Sequence, residues 1–212
     1  MKQILFALSF IATVVFISCG DGNVKINPDP EVQAAEDSAI IVNYFADLGY
    51  EGDEVKATTS GVRYVMVSEG TGKVIEESNI VTFDFTGKLT NDTIFDTTIE
   101  EVADSIRTKI AADTAGKENI ETQLLFLSRF PEGANYSPVT LTYSSTGWTL
   151  GEFINGFRDG VAASFNKAKV GSSILIAIPS AEGYGSDFRR PPTIPENAVL
   201  IFELYPIEAV EQ

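Results

Sequence analysis

The residues that could do chemistry are few, because the chain has no histidine and a single cysteine, Cys19. This removes Ser-His-Asp and Cys-His catalysis, zinc sites built on imidazole, and histidine-based pH switches. Aromatic surface, some carboxylates and tyrosine hydroxyls are left. The stretch FINGFRDGV, residues 153–161, places Phe153, Phe157 and Val161 on one helical face. Gly156 and Gly160 interrupt that face, each at a cost of about 1 kcal/mol against alanine. Alone, the stretch reads as a core helix with a close-packed backbone. Phe83, Phe95 and Phe202 lie in apolar strand-like runs and read first as core residues. Asp96 either caps a turn or acts on a ligand. Tyr184, between Gly183 and Gly185 in a polar loop, is better suited to binding. Trp148 reads as core or flap packing ahead of a ligand platform.

These residues need a scaffold, and the hydrophobic pattern supplies one. The segments 62–67, 80–87, 139–143, 173–178 and 198–205 have strand composition. In IVTFDFTG, residues 80–87, Val81, Phe83 and Phe85 alternate with Thr82, Asp84 and Thr86. One helix, 153–165, falls among these strands, so an α+β fold is expected, with an antiparallel sheet wrapped around one short α-helix. Residues 99–137 break the strand pattern. Val102, Ile106 and Ile110, then Ile120, Leu124 and Leu127, follow helical spacing and predict a helical insertion. Upstream, Ile40, Ile41, Tyr44, Phe45 and Leu48 form a helical stripe that Gly49 should stop. That N-terminal helix, in a helix-and-linker segment 31–58, must cover its stripe with the main domain or with a second copy, giving a homodimer through helix 36–48.

With 44% apolar residues the 212-residue chain can bury one medium-sized core plus an appendage. Thirty acidic against 15 basic residues give a net charge of −15, which argues against a nucleic-acid partner. Lys2 precedes an apolar run, Ile4 to Ile17, with the length of a secretory h-region. Residues 1–18 are therefore expected to be a signal peptide. Cys19 cannot form an intramolecular disulfide. The run ending in FISCG resembles a bacterial lipobox, with Phe16 where leucine is usual. That resemblance implies lipidation of Cys19; the alternative is a free thiol. Residues 19–30 would then be a lipid-anchored tether, placing the protein in the cell envelope. Gly20, in place of aspartate, favours the outer membrane over the inner. The folded domain would lie in the periplasm or on the cell surface.

Five pieces occur in a telling order: GVRYVMVSEGTG (61–72), FDFTGKLTNDTIFDTT (83–98), FINGFRDGV, KVGSSILIAIPSAEGYG (169–185) and IPENAVLIFEL (194–204). Together they resemble the FKBP-type peptidyl-prolyl cis-trans isomerases over Gly61–Thr98 and from Pro138 to about Val210. With the leader, the resemblance is to bacterial lipoprotein forms, which include gliding-motility-associated members. It implies an isomerase domain over 59–212 carrying the insertion 99–137. It also implies a pocket of Phe85, Phe95, Asp96, Ile154, Phe157, Tyr184, Ile194 and Phe202, with Val139 near a further wall position. Phe157 stands where the floor tryptophan of the family usually sits, and Phe85 lacks a phenolic hydroxyl often found there. The implied reaction needs no cofactor and acts on X-Pro segments of unfolded or exported proteins, assisting their folding. The runner-up is a non-catalytic chaperone or peptide-binding module on the same fold. A glycan- or ligand-binding surface lipoprotein suits the leader but leaves the five pieces unexplained. Cyclophilin- and parvulin-type isomerases rely on histidines that this chain lacks.

Overall fold

The computed structural model describes residues 28–112, 127–147 and 154–212. The leader, Cys19, most of the tether, Trp148, Phe153 and the stripe residues Ile120 and Leu124 lie outside them. Seven antiparallel strands form one sheet: β1 (Lys56–Ala57), β2 (Arg63–Ser68), β3 (Ile80–Leu89), β4 (Ile94–Thr97), β5 (Val139–Thr142), β6 (Ser173–Ile178) and β7 (Leu200–Val210). Their order is β1-β2-β6-β7-β3-β4, with β5 also paired to β3. The helices are α1 (Pro30–Asp47), α2 (Glu100–Ala112) and α3 (Asn155–Ser164). Among the described residues no helix is long and apolar enough to cross a membrane.

β3 is the spine. Its alternation is as expected, with Val81, Phe83 and Phe85 buried. β7 pairs with it from Ile80↔Val210 to Leu89↔Leu200. The ladder shifts register between Thr82 and Phe83, where Pro206 enters the strand. A bulge tolerates a residue with no N–H, and β7 thereby runs past the expected end at 205. Two short strands share the remainder of β3: β5 takes Ile80–Phe83, and β4, the short run around Phe95, takes Thr86–Lys88. The insertion leaves β4 and returns to β5 as α2, a helical turn at 127–129 and an irregular stretch with Phe130 buried.

The run SILIAI in β6 does not alternate because both faces of the sheet are covered. Ile174, Ile176 and Ile178 join the main core under α3. Leu175 and Ala177 face the other way, with Ile201 and Val199, against Ile41 and Phe45 of α1. The N-terminal helix thus spends its apolar face on the main domain. The buried positions are Asp37, Ile41 and Phe45; Ile40 and Leu48, expected on this stripe, are exposed. Asp29 caps the helix by accepting from the Glu31 N–H at 2.9 Å, and Gly49, at φ +86°, follows its end.

Tyr143, just beyond β5, is fully buried, and its hydroxyl donates to the Ala162 carbonyl of α3 at 2.8 Å. Burial pushes this phenol up to about 12. Tyr143→Phe should lower unfolding free energy by about 1–2 kcal/mol at constant m-value in urea titrations. An unchanged midpoint would show that this bond does not hold α3 to the sheet.

Candidate functional site

Phe157 enters the sheet from the first turn of α3 and is 1% exposed. Its ring centroid lies 4.8 Å from Phe202 of β7 and 5.4 Å from Phe85 of β3, both edge-on. Phe95 of β4 meets Phe202 edge-on at 5.5 Å. Edge-to-face contacts of this kind align the positive rim of one ring with the negative face of another. Two glycines make the approach feasible. A Cβ on Gly156 would sit 2.2 Å from Ile178 Cγ2, so α3 rests on the sheet without a spacer. A Cβ on Gly87 would lie 2.7 Å from Phe95 and 2.8 Å from Phe202, filling the space both rings occupy.

Above these rings opens a cavity of about 450 Å³. Phe85, Phe95, Asp96, Ile154, Phe157, Tyr184 and Phe202 all line it, seven of the eight residues expected. Ile194 does not; it is buried in the main core behind the lining, and Pro191 of the same loop reaches the cavity. Arg129 and Arg189 complete the wall. Neither carried a local sequence signal: Arg129 belongs to the insertion, where the motif order is interrupted, and Arg189 to a polar loop.

Arg129 donates from Nη2 to Asp96 Oδ2 at 2.8 Å and from Nε to the Phe95 carbonyl at 3.3 Å. The Thr97 N–H donates to Asp96 Oδ1 at 3.0 Å. Loss of hydration raises the Asp96 carboxyl above its ordinary value, and the Arg129 charge and hydrogen bonds only partly oppose this. Burial, then the Asp96 charge, likewise raises the Tyr184 phenol. Tyr184 therefore stays a hydroxyl donor at neutral pH. Asp187 at the rim is held down to about 2, chiefly by hydrogen bonds from Arg189. Among the described residues no group of acidic side chains is clustered to hold a metal ion. The arrangement offers an apolar floor, one neutral donor and a carboxylate–guanidinium pair on one wall.

Residues 126–205 match the family model described as FKBP-type peptidyl-prolyl cis-trans isomerase. This stretch includes Arg129, Phe157, Tyr184 and Phe202, while Phe85, Phe95 and Asp96 precede it. No curated protein matches the chain. Among solved structures, FkpA from Escherichia coli superposes with a TM-score of 0.47 at 20% identity, over 85% of this chain and 62% of that one. This chain thus spans less than two thirds of the length of FkpA. A peptidyl-prolyl cis-trans isomerase from Pseudomonas syringae pv. tomato gives 0.48 at 15% identity, covering 88% of this chain and 99% of that one. AtFKBP13 gives 0.45 at 19%, covering 74% and 99%.

Gly87→Ala should drive Phe95 and Phe202 apart, lowering stability by about 1–3 kcal/mol and shifting the aromatic NMR signals of both rings. Unmoved ring signals would show that Gly87 does not set the cavity wall. For Asp96, the folded protein binds a proton more readily than the unfolded chain. Its contribution to stability is full below the ordinary carboxyl value and is lost as pH rises through the raised folded value. Asp96→Asn should flatten that fall in unfolding measurements between acidic and neutral pH. The same slope in both proteins would assign it to another group.

Proposed function

We propose that this protein is a peptidyl-prolyl cis-trans isomerase of the FKBP type, acting on X-Pro segments of exported proteins. The observation that carries the reading is the closed ring of Phe85, Phe157 and Phe202 in a cavity that Tyr184 also lines. The match of residues 126–205 to the isomerase family supports it.

Rotation about an X-Pro bond is slow because twisting destroys amide resonance, a barrier of roughly 20 kcal/mol. The planar amide is more dipolar than the twisted one. An apolar cup therefore disfavours the ground state relative to the transition state, which is the differential binding that catalysis requires. A gain of about five decades needs roughly 7 kcal/mol. The proline ring would rest on Phe157, walled by Phe85, Phe95, Ile154 and Phe202. Tyr184 would donate to a substrate carbonyl. Asp96, oriented by Arg129 and the Thr97 N–H, would face the twisted carbonyl. No proton is transferred, so the missing histidine costs nothing.

The apolar run ending at Cys19 supports a lipid anchor there. Acyl chains would hold the protein at a membrane with about 0.8 kcal/mol per buried CH₂, leaving the domain in the aqueous phase beside exported chains. Mass spectrometry of membrane fractions should find Cys19 as an acylated mature terminus, and an unmodified Cys19 would defeat the anchor.

The isomerase reading is tested by NMR exchange spectroscopy of an X-Pro peptide with wild-type protein and two variants. Wild type should accelerate exchange. Phe157→Ala should lower both turnover and stability, the latter by ~3–5 kcal/mol for a buried ring lost from a site that cannot collapse. Tyr184→Phe should slow turnover several-fold, the effect of about 1 kcal/mol, with melting nearly unchanged. One observation favours the second reading, a non-catalytic chaperone or peptide-binding module: Phe188, beside the cavity, is 89% exposed, with the Arg189 guanidinium 5.9 Å from its ring. Absent exchange on every X-Pro peptide, with retained affinity for unfolded chains, would decide for that module.

A further inference from the structure

Asp37 stands where an apolar residue is expected. It follows the i, i+4, i+8 stripe of α1 with Ile41 and Phe45, and it is 1% exposed. A carboxylate at such a position is costly unless hydrogen bonds replace its hydration. Here they do. Oδ2 accepts from both the backbone N–H and the hydroxyl of Ser180, each at 2.7 Å, and Oδ1 accepts from Gln33 Nε2 at 2.8 Å.

Ser180 is itself the anchor of a tight turn. Its carbonyl accepts from the Gly183 N–H at 3.0 Å and from the Gly185 N–H at 2.9 Å. Tyr184 sits between those two glycines, at the tip of the loop. On the opposite side the turn abuts α3, where a Cβ on Gly156 would come within 3.0 Å of the Glu182 backbone carbonyl and side chain. The segment carrying Tyr184 is therefore clamped between the helix that bears Phe157 and the N-terminal helix. The carbonyl of Gly185, a residue at φ +51°, then accepts from the Asn197 N–H at 2.8 Å, tying the end of the turn to the segment before β7.

We propose that Asp37 is a positioning residue for the cavity: by gripping Ser180 it fixes the turn that aims the Tyr184 hydroxyl. The inference rests on the isomerase reading of the cup for its effect on turnover. It gives α1, which lies outside the matched stretch 126–205, a part in the site. Packing of α1 through Phe45 is a separate matter, since that ring touches the far face of the sheet.

The test uses the full-length protein and a double-mutant cycle. Asp37→Ala should speed amide hydrogen exchange at Gly183 and Gly185 by roughly ten-fold, the scale of a lost charge-assisted hydrogen bond, and lower kcat/KM several-fold. In a Tyr184→Phe background the same change should cost turnover little more, because the hydroxyl it aims is gone. Phe45→Leu should lower melting temperature while leaving turnover and Gly185 exchange unchanged. Should Asp37→Ala fail to fold, Ser180→Ala deletes one of the two grips and enters the same cycle. Equal turnover losses for Asp37→Ala with and without the Tyr184 hydroxyl, or unaltered exchange at Gly185, would overturn the proposal. A wild-type protein with no turnover would defeat the isomerase reading instead, and exchange at Gly185 would still decide whether Asp37 fixes the turn.

Discussion

The separation between α3 and the sheet is the constraint on which the rest depends. Gly160 lets Ile176 reach the helix backbone, since a Cβ there would lie 2.6 Å from Ile176 Cδ1, and Gly156 does the same for Ile178. Side chains on the contact face of a helix normally hold its backbone off the layer it packs against. Removing two of them lowers α3 until Phe157 reaches Phe85 and Phe202. The propensity cost of two helix glycines is the local penalty for a tertiary gain, and it explains why glycines and aromatics share one short stretch.

The lowered helix needs a sheet that does not yield, and the chain stiffens it from behind. β6 is apolar on both faces, with α3 on one and α1 on the other, and Ile201 of β7 joins the layer under α1. Two packed layers over central strands resist bending more than a sheet with one solvated face. On the open side of β3 the ladder is divided between β4 and β5. The insertion leaves through that division, which brings Arg129 to the Asp96 carboxylate at the rim of the same cavity.

Much of this was legible in residue order. The alternation in β3 and the apolar run of β6 are local patterns, and each became the element it indicated. So did the helical character of 100–112. The helix read over 153–165 is described as Asn155–Ser164, with Phe157 and Val161 on its buried face and Phe153 outside the described residues. What stayed hidden depends on partners distant in sequence. β4 is four residues long and includes Asp96, so the run around Phe95 shows its bounds only through its pairing to β3. The tail of β7 carries Pro206, which reads as a strand end until the bulge is known. Arg129 has meaning only beside Asp96. The stripe Ile40, Ile41, Tyr44, Phe45 and Leu48 contains the buried Ile41 and Phe45, but the face of α1 continues through Asp37 in place of Ile40 and Leu48. Its true face is defined by a hydrogen bond to Ser180, 143 positions away.

The central claim is that the aromatic cup, and not another hollow, receives a proline ring. The described residues offer two other cavities of about the same size, one of about 450 Å³ between the start of α1 and the 179–186 segment and one of about 440 Å³ between α1 and the 50–57 segment. Intermolecular NOEs between a ¹³C-labelled proline in an X-Pro peptide and the protein separate the three. Contacts from proline ring protons to Phe157, Phe85 and Phe202 are expected, with Tyr184 shifted on titration. Contacts confined to Ala34, Ile41 and Ala57, with Phe157 silent, would contradict it.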